Sequence, residues 1–588
     1  RPPRSTLFPY TTLFRSLAAE ENFARGLRSC GAVSSFVFAR PAKAAKLVAP
    51  LMGSFGFDPA SLPVLDDVFW SGAKRTGMRL EITQLSSVPI PVVNHIARPS
   101  MAMVGLCLAP SYDRLITMAL KAVNWVGTRL CYYEVQHMDL NMDLRGEVFG
   151  LDAAMKVKTL VQGSTGFIFA LNPNYEIKAV ELDGNLVNWG RTGPFVTIPS
   201  APIDKDSVNT VRIVAKGLPR DMLEIIPRQL LAAFSVSSHP VRTDTRVHLA
   251  VTSLFYPIAP VMRESVWTST TALDVPDGWL GVSNGRPVSE TPIDGGVRCE
   301  FADDRPDMAL EVFAAPFVRV TDKADGFTVH HYFEPGSVEK TDEAVGYANR
   351  CFSFYKSSFG GNYEPDPLVV HLKKGDGISH CLSYIVMYTR SATVLSHELA
   401  HLWWGSLVKM HPLHSSMWYE GLTEYSNAMF IHQEFGAEYH AKYLNWRLNG
   451  WRSADNPPRP YRDIRMWSPG RGIVGYLKGV AIFRGLHGLM GPEKFGVYLK
   501  GLASRGGEFV DIPIIWEELT KVAPDLDWYA RAMLYGNGHF DLEIESVTRI
   551  EGDRWLVLVR SRGFHFWRGP VRIIGKAEIG RASCRERV

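Results

Sequence analysis

The chain has 588 residues, 46% of them hydrophobic, enough for several folded units each with its own core, and it carries no repeat or low-complexity tract. Its formal charge of +4 is carried by the ends, where Arg1, Arg4, Arg15, Arg581, Arg585 and Arg587 stand against Glu586; without them it is about −1. The basic balance therefore gives no ground for a nucleic-acid or membrane-surface partner.

In chain order, residues 1–16 read as a translated short-read sequencing adapter. Thr11 to Ser16 can be encoded as ACG ACG CTC TTC CGA TCT, whose reverse complement, read one frame over behind a G, spells Glu578 to Ser583. Residues 578–588 are set aside with them, and the native termini are expected to be missing. Cys584 drops out with that segment; Cys30, Cys107, Cys131, Cys299, Cys351 and Cys381 lack metal or disulfide spacing and read as reduced thiols. Residues 17–130 form an unassigned accessory segment. Its run Met101 to Gly127 is apolar and helix-like, but Asp113, Arg114 and Lys121 interrupt it, so it reads as a buried or partner-binding amphipathic helix and not a membrane span.

From 131 to 325 alternating, β-branched segments predict a sheet domain, with strands over Met155–Val161 and over Glu176–Leu182 before the turn Asp183-Gly184-Asn185. From 326 to 538 helical patterns dominate after a strand-rich opening that includes Pro367–Leu372, which suits an α+β domain.

Here His397-Glu398-Leu399-Ala400-His401 places two histidines four apart, on one face of a helix, with Glu398 beside them. Val394, Leu395, Leu399, Leu402 and Trp403 form an apolar stripe, and Gly405 stands where the helix should stop. A catalytic zinc ion takes three protein ligands and keeps a position open for water; His397, His401 and Glu420, in Trp418-Tyr419-Glu420-Gly421, supply that set. Glu398 is then free to act as general base.

These residues resemble the aminopeptidase N-like zinc peptidases of the gluzincin clan. The signature of that family is the two-histidine helix, 18 intervening residues, and the third ligand in a Glu-Gly motif, as between His401 and Glu420-Gly421. Tyr476-Leu477-Lys478-Gly479, with Arg484 eight positions after the tyrosine, is similar to its Tyr-x-Lys-Gly segment. The resemblance implies that Tyr476 stabilises the oxyanion, a role suited to a neutral phenol donor. It also implies one zinc ion as cofactor, a peptide as substrate, and Glu424 as an acid that fixes a ligand histidine. Lys478 and Arg484 read equally as substrate contacts or as structural charges. The Gly-x-Met-Glu-Asn strand that binds the free amino terminus in that family is absent. In its place stands Gly377-Ile378-Ser379-His380-Cys381, where His380 is either a substituted substrate contact or a loop histidine without a ligand role.

The expected architecture is multidomain α+β: an amino-terminal, saddle-like β-sheet domain, a thermolysin-like, mainly α zinc peptidase domain, and, over 539–577, the start of a truncated β-sandwich. The strands of the last lie at Leu542–Ile550 and Trp555–Val559. The expected activity is zinc-dependent hydrolysis of amino-terminal residues. An endopeptidase or other hydrolase on the same scaffold, and a retired peptidase serving as a binding module, stand as alternatives. With no native start in view, a cytoplasmic location is the default expectation, and nothing in the chain points to an oligomeric state.

Overall fold

The computed structural model describes residues 133–561 apart from 161, 193, 222–239, 260–265, 308, 325, 338–339, 361–366, 374–379, 383–384, 389–391, 411–417, 453–472, 537–541 and 552–553. The segments read as adapters, the accessory segment with its Met101–Gly127 helix, and Gly377–Ser379 lie outside the described residues. Two compact units form. The first takes the described residues up to Phe352 and those of 364–402; the second takes those of 353–363 and from Trp403 onward.

The first unit is built on an eight-stranded sheet. Strand Tyr133–Asp143 buries Tyr133, Val135, Met138, Leu140 and Met142, and Phe149–Thr159 buries Phe149, Leu151, Ala153, Met155 and Val157. Alternation with period two puts the second set on one face, and in the first strand a register shift between Val135 and His137 brings both the odd- and the even-numbered apolar residues into the core. The two strands pair antiparallel, Leu140 opposite Ala153, while Tyr133–Asp143 pairs parallel on its other side with Trp267–Pro276. The strand expected over Glu176–Leu182 forms with those bounds. Asp183 and Gly184 take φ of 51° and 78°, the left-handed geometry that a two-residue hairpin requires, and Leu182 pairs with Asn185 across them.

A five-stranded sheet in the same unit runs Val318–Ala324, Phe327–Phe333, Leu368–His371, Ile385–Tyr388, His380–Leu382, the last at the edge. Phe327–Phe333, Leu368–His371 and Ile385–Tyr388 are parallel neighbours. A parallel pair needs a crossover, and helix α1, Thr341–Phe359, lies in the link between the first two. Helix α2, Ala392–Ala400, follows and lies against Ile385–Tyr388 and the edge strand.

Helices dominate the second unit: α3 (Trp418–Arg452), α4 (Gly479–Ala503) and α5 (Ile512–Val522). Helix α3 breaks at Gly436 and α4 at Gly491, where φ of 81° and 77° leaves the helical region. A π-helical turn, Ile473–Lys478, leads into α4. Asp511 caps α5 by accepting from the backbone N–H of Ile514 at 3.3 Å. The strands expected near the end of the chain form an antiparallel hairpin, Leu542–Glu551 with Arg554–Ser561. The chain is thus multidomain α+β, with a large sheet-rich amino-terminal part and a helical part. Among the described residues no helix is long and apolar enough to cross a membrane.

Candidate metal centre

Helix α2 carries His397, and His401 follows immediately past its end in the tightened last turn. Its Leu395 and Leu399, and Leu402 just beyond it, are buried, so the apolar stripe forms core. The hydroxyl of Tyr347 on α1 donates to Ser396 Oγ at 3.0 Å and fixes the helix about its axis. The helix ends at Ala400, short of the Gly405 stop read from sequence. The N–H groups of His401 and Leu402 reach back only three residues, to Glu398 and Leu399, which tightens the last turn. Gly405 instead takes φ 129° in a two-residue strand.

The rings of His397 and His401 stand with centroids 4.9 Å apart and planes at 86°. The ligand atoms of His397, Glu398 and His401 all lie within 4.8 Å of one another, and all three residues are buried. Two imidazole nitrogens gathered out of water with a carboxylate beside them fit a divalent zinc ion held by the imidazoles, with the carboxylate next to it.

In the second unit, Glu420 sits buried in the first turn of α3, and the Tyr476 hydroxyl, from the π-helical turn, donates to its Oε1 at 2.6 Å. Two residues 56 apart in sequence, chosen from separate motifs, thus share one hydrogen bond. Glu424, one turn on, is also buried; it forms an ion pair with Arg447 at 2.6 Å and accepts from the Tyr443 hydroxyl. Burial, with the Glu424 charge beside it, pushes the Tyr443 hydroxyl well above its usual 10, so it stays a neutral donor. Asn427 Nδ2 donates to the same hydroxyl at 2.9 Å. Sequence reading missed Tyr443 and Arg447, because the break at Gly436 returns the second half of α3 beside the first; a glycine inside a helical pattern was the available signal.

Lys478 is fully buried, its Nζ donates to the Gly536 carbonyl at 3.3 Å, and burial lowers its pKa to about 8. Arg484 lies exposed on α4. His380 opens the edge strand, its backbone in register with Met387.

No family model matches the chain, and no curated protein matches it. Solved structures do. An M1 zinc metallopeptidase from Deinococcus radiodurans is 17% identical, with 69% of this chain and 95% of that chain covered, at a TM-score of 0.57. A mutant of that enzyme bound to a Tyr-Ser-Ala substrate matches at 17% identity, 68% and 94% coverage and a TM-score of 0.56. Legionella pneumophila aminopeptidase A, in complex with aspartic acid, matches at 16% identity, 74% and 57% coverage and a TM-score of 0.56. At such identity the likeness carries the fold: this chain has the fold of the M1 zinc metallopeptidases, the clan its motifs resemble.

Proposed function

We propose that the chain is a zinc-dependent peptidase that removes amino-terminal residues from peptides. The observation that carries the reading is the buried grouping of His397, Glu398 and His401 on one helical turn, within 4.8 Å. Zinc would be held by His397, His401 and Glu420, the last by its motif spacing, and supplies Lewis acidity that makes water acidic near neutral pH and polarises the scissile carbonyl.

The chain's own groups do the rest. The Glu398 carboxylate takes a proton from the attacking water and returns it to the leaving amine, so water is consumed as the C–N bond breaks. The Tyr476 hydroxyl, which donates to Glu420 in the structure, turns its hydrogen bond to the oxyanion as negative charge develops there. Glu424, held by Arg447 and Tyr443, orients a ligand histidine. The same reading assigns 131–325 to a saddle-like amino-terminal domain, 326–538 to a thermolysin-like catalytic domain, and 539–577 to the first strands of a β-sandwich.

Glu398→Gln tests it. The variant should keep its zinc content and lose turnover on aminoacyl substrates by about 10²–10⁴-fold, the usual worth of a general base; wild-type turnover would refute the assignment. Tyr476→Phe should lower kcat by about 10²-fold with metal content unchanged, as loss of an oxyanion donor does. The Ser379-His380 pair, in place of Met-Glu, favours a second reading, an endopeptidase with no amine-binding carboxylate. Cleavage of amino-blocked peptides as fast as free ones would select it.

A further inference from the structure

A histidine cluster on α3 takes no part in this chemistry. In an unbroken helix, residues eight apart are separated by about 12 Å along the axis. Across the break at Gly436, the imidazoles of His432 and His440 instead come to 4.9 Å, centroid to centroid, with planes at 46°. That is the separation of His397 and His401 at the end of α2. Rings that each place a nitrogen about 2.1 Å from one ion stand about this far apart when they meet it at a near-tetrahedral angle. His432 is exposed and His440 half-buried, which leaves water access to the remaining coordination positions.

The groups facing the pair come from α4. His487 Nδ1 is engaged with the Tyr425 hydroxyl at 2.8 Å, and its ring stacks on Phe495 at 4.5 Å, so it serves the packing. Arg484 is exposed and its charge is screened by salt. Burial, with the charges of His432, Arg484 and His487, holds His440 at a pKa of about 4, so near neutrality it is the neutral imidazole that ligates metals.

We propose that His432 and His440 form a second cation site, for a borderline divalent ion such as zinc or copper, that staples the two halves of α3 across Gly436. Imidazole suits these ions, and two protein ligands with water completing the shell give an exchangeable site.

The test uses the full chain, stripped of metal and titrated with zinc alone against a chromophoric chelator. His432→Asn and His440→Asn should each remove one equivalent of bound zinc relative to the wild type, whatever the α2 cluster retains, with peptidase activity unchanged. Circular dichroism checks that both variants fold. Without any substitution, zinc at ten times its Kd should slow carbethoxylation of His432 and His440 in the wild type by about tenfold, as mass action requires. Unchanged stoichiometry in the folded variants, or modification of the two histidines at the same rate with and without zinc, overturns the proposal.

Discussion

The carboxyl of Asp303 is 1% exposed, opposite Ser269 on the neighbouring strand, and the Asp307 charge acts on it. Burial first, and Asp307 second, raise its pKa to about 6, although the Arg305 backbone N–H and Nε both donate to its Oδ1 at 3.2 Å. The folded value lies above the ordinary 3.8, so the stability this group contributes is whole below about pH 4 and is lost as pH rises through about 6. Asp303→Asn keeps an acceptor for Arg305 and removes the charge. It should stabilise the protein at about pH 8 by up to about 3 kcal/mol, at about 1.4 kcal/mol for each pKa unit, and by little near pH 4. Urea unfolding at the two pH values reads the difference; an equal gain at both would mean that titration is not the cause.

At the level of elements, what could be read from sequence was local. His397 and His401, at the end of α2, face one way because they are four apart, and Glu176–Leu182 is a strand because its polarity alternates; neither depends on distant residues. The network around Glu424 was not legible, since Tyr443 and Arg447 reach it only through the φ of Gly436. Arg447 also stacks over the Trp446 ring at 4.3 Å within the second half of α3, and its ion pair with Glu424 fastens that half to the first. Removing one partner of a buried ion pair leaves a charge without its counterion. Arg447→Ala should therefore cost about 3 kcal/mol, and Arg447→Met combined with Glu424→Gln clearly less. A double variant as unstable as the single one would show that the alkyl packing of Arg447 matters and its charge does not.

For the whole molecule, the order of strands was beyond sequence pattern, because pairings such as Leu140 with Thr271 join segments more than a hundred residues apart and alternation says only which face is buried. A pairing between segments 40 residues apart is expected to make the sheet-rich unit sensitive to acid. Parallel strands Phe327–Phe333 and Leu368–His371 bring His331 Nδ1 to 3.1 Å from His371 Nε2, with both rings fully buried. One ring donates and the other accepts, and burial keeps both rings neutral near pH 7. Burial lowers His331 to about 4, with Asp322 and His330 the other charges acting on it, and lowers His371 well below its usual value. A histidine with a depressed folded pKa contributes stability that is whole above about 6.5 and falls away as pH drops toward 4. At about pH 5 the loss from His331 alone is about 2 kcal/mol. In the helical unit, His440 also has a low pKa but is half-exposed, and solvent reduces its share. Hydrogen exchange between about pH 7.5 and 5 should therefore accelerate more in Phe327–Phe333 than in α4, after correction for intrinsic rates. Replacing both His331 and His371 by leucine should flatten that difference; equal acceleration in the two units of the wild type would remove the histidine pair as its source.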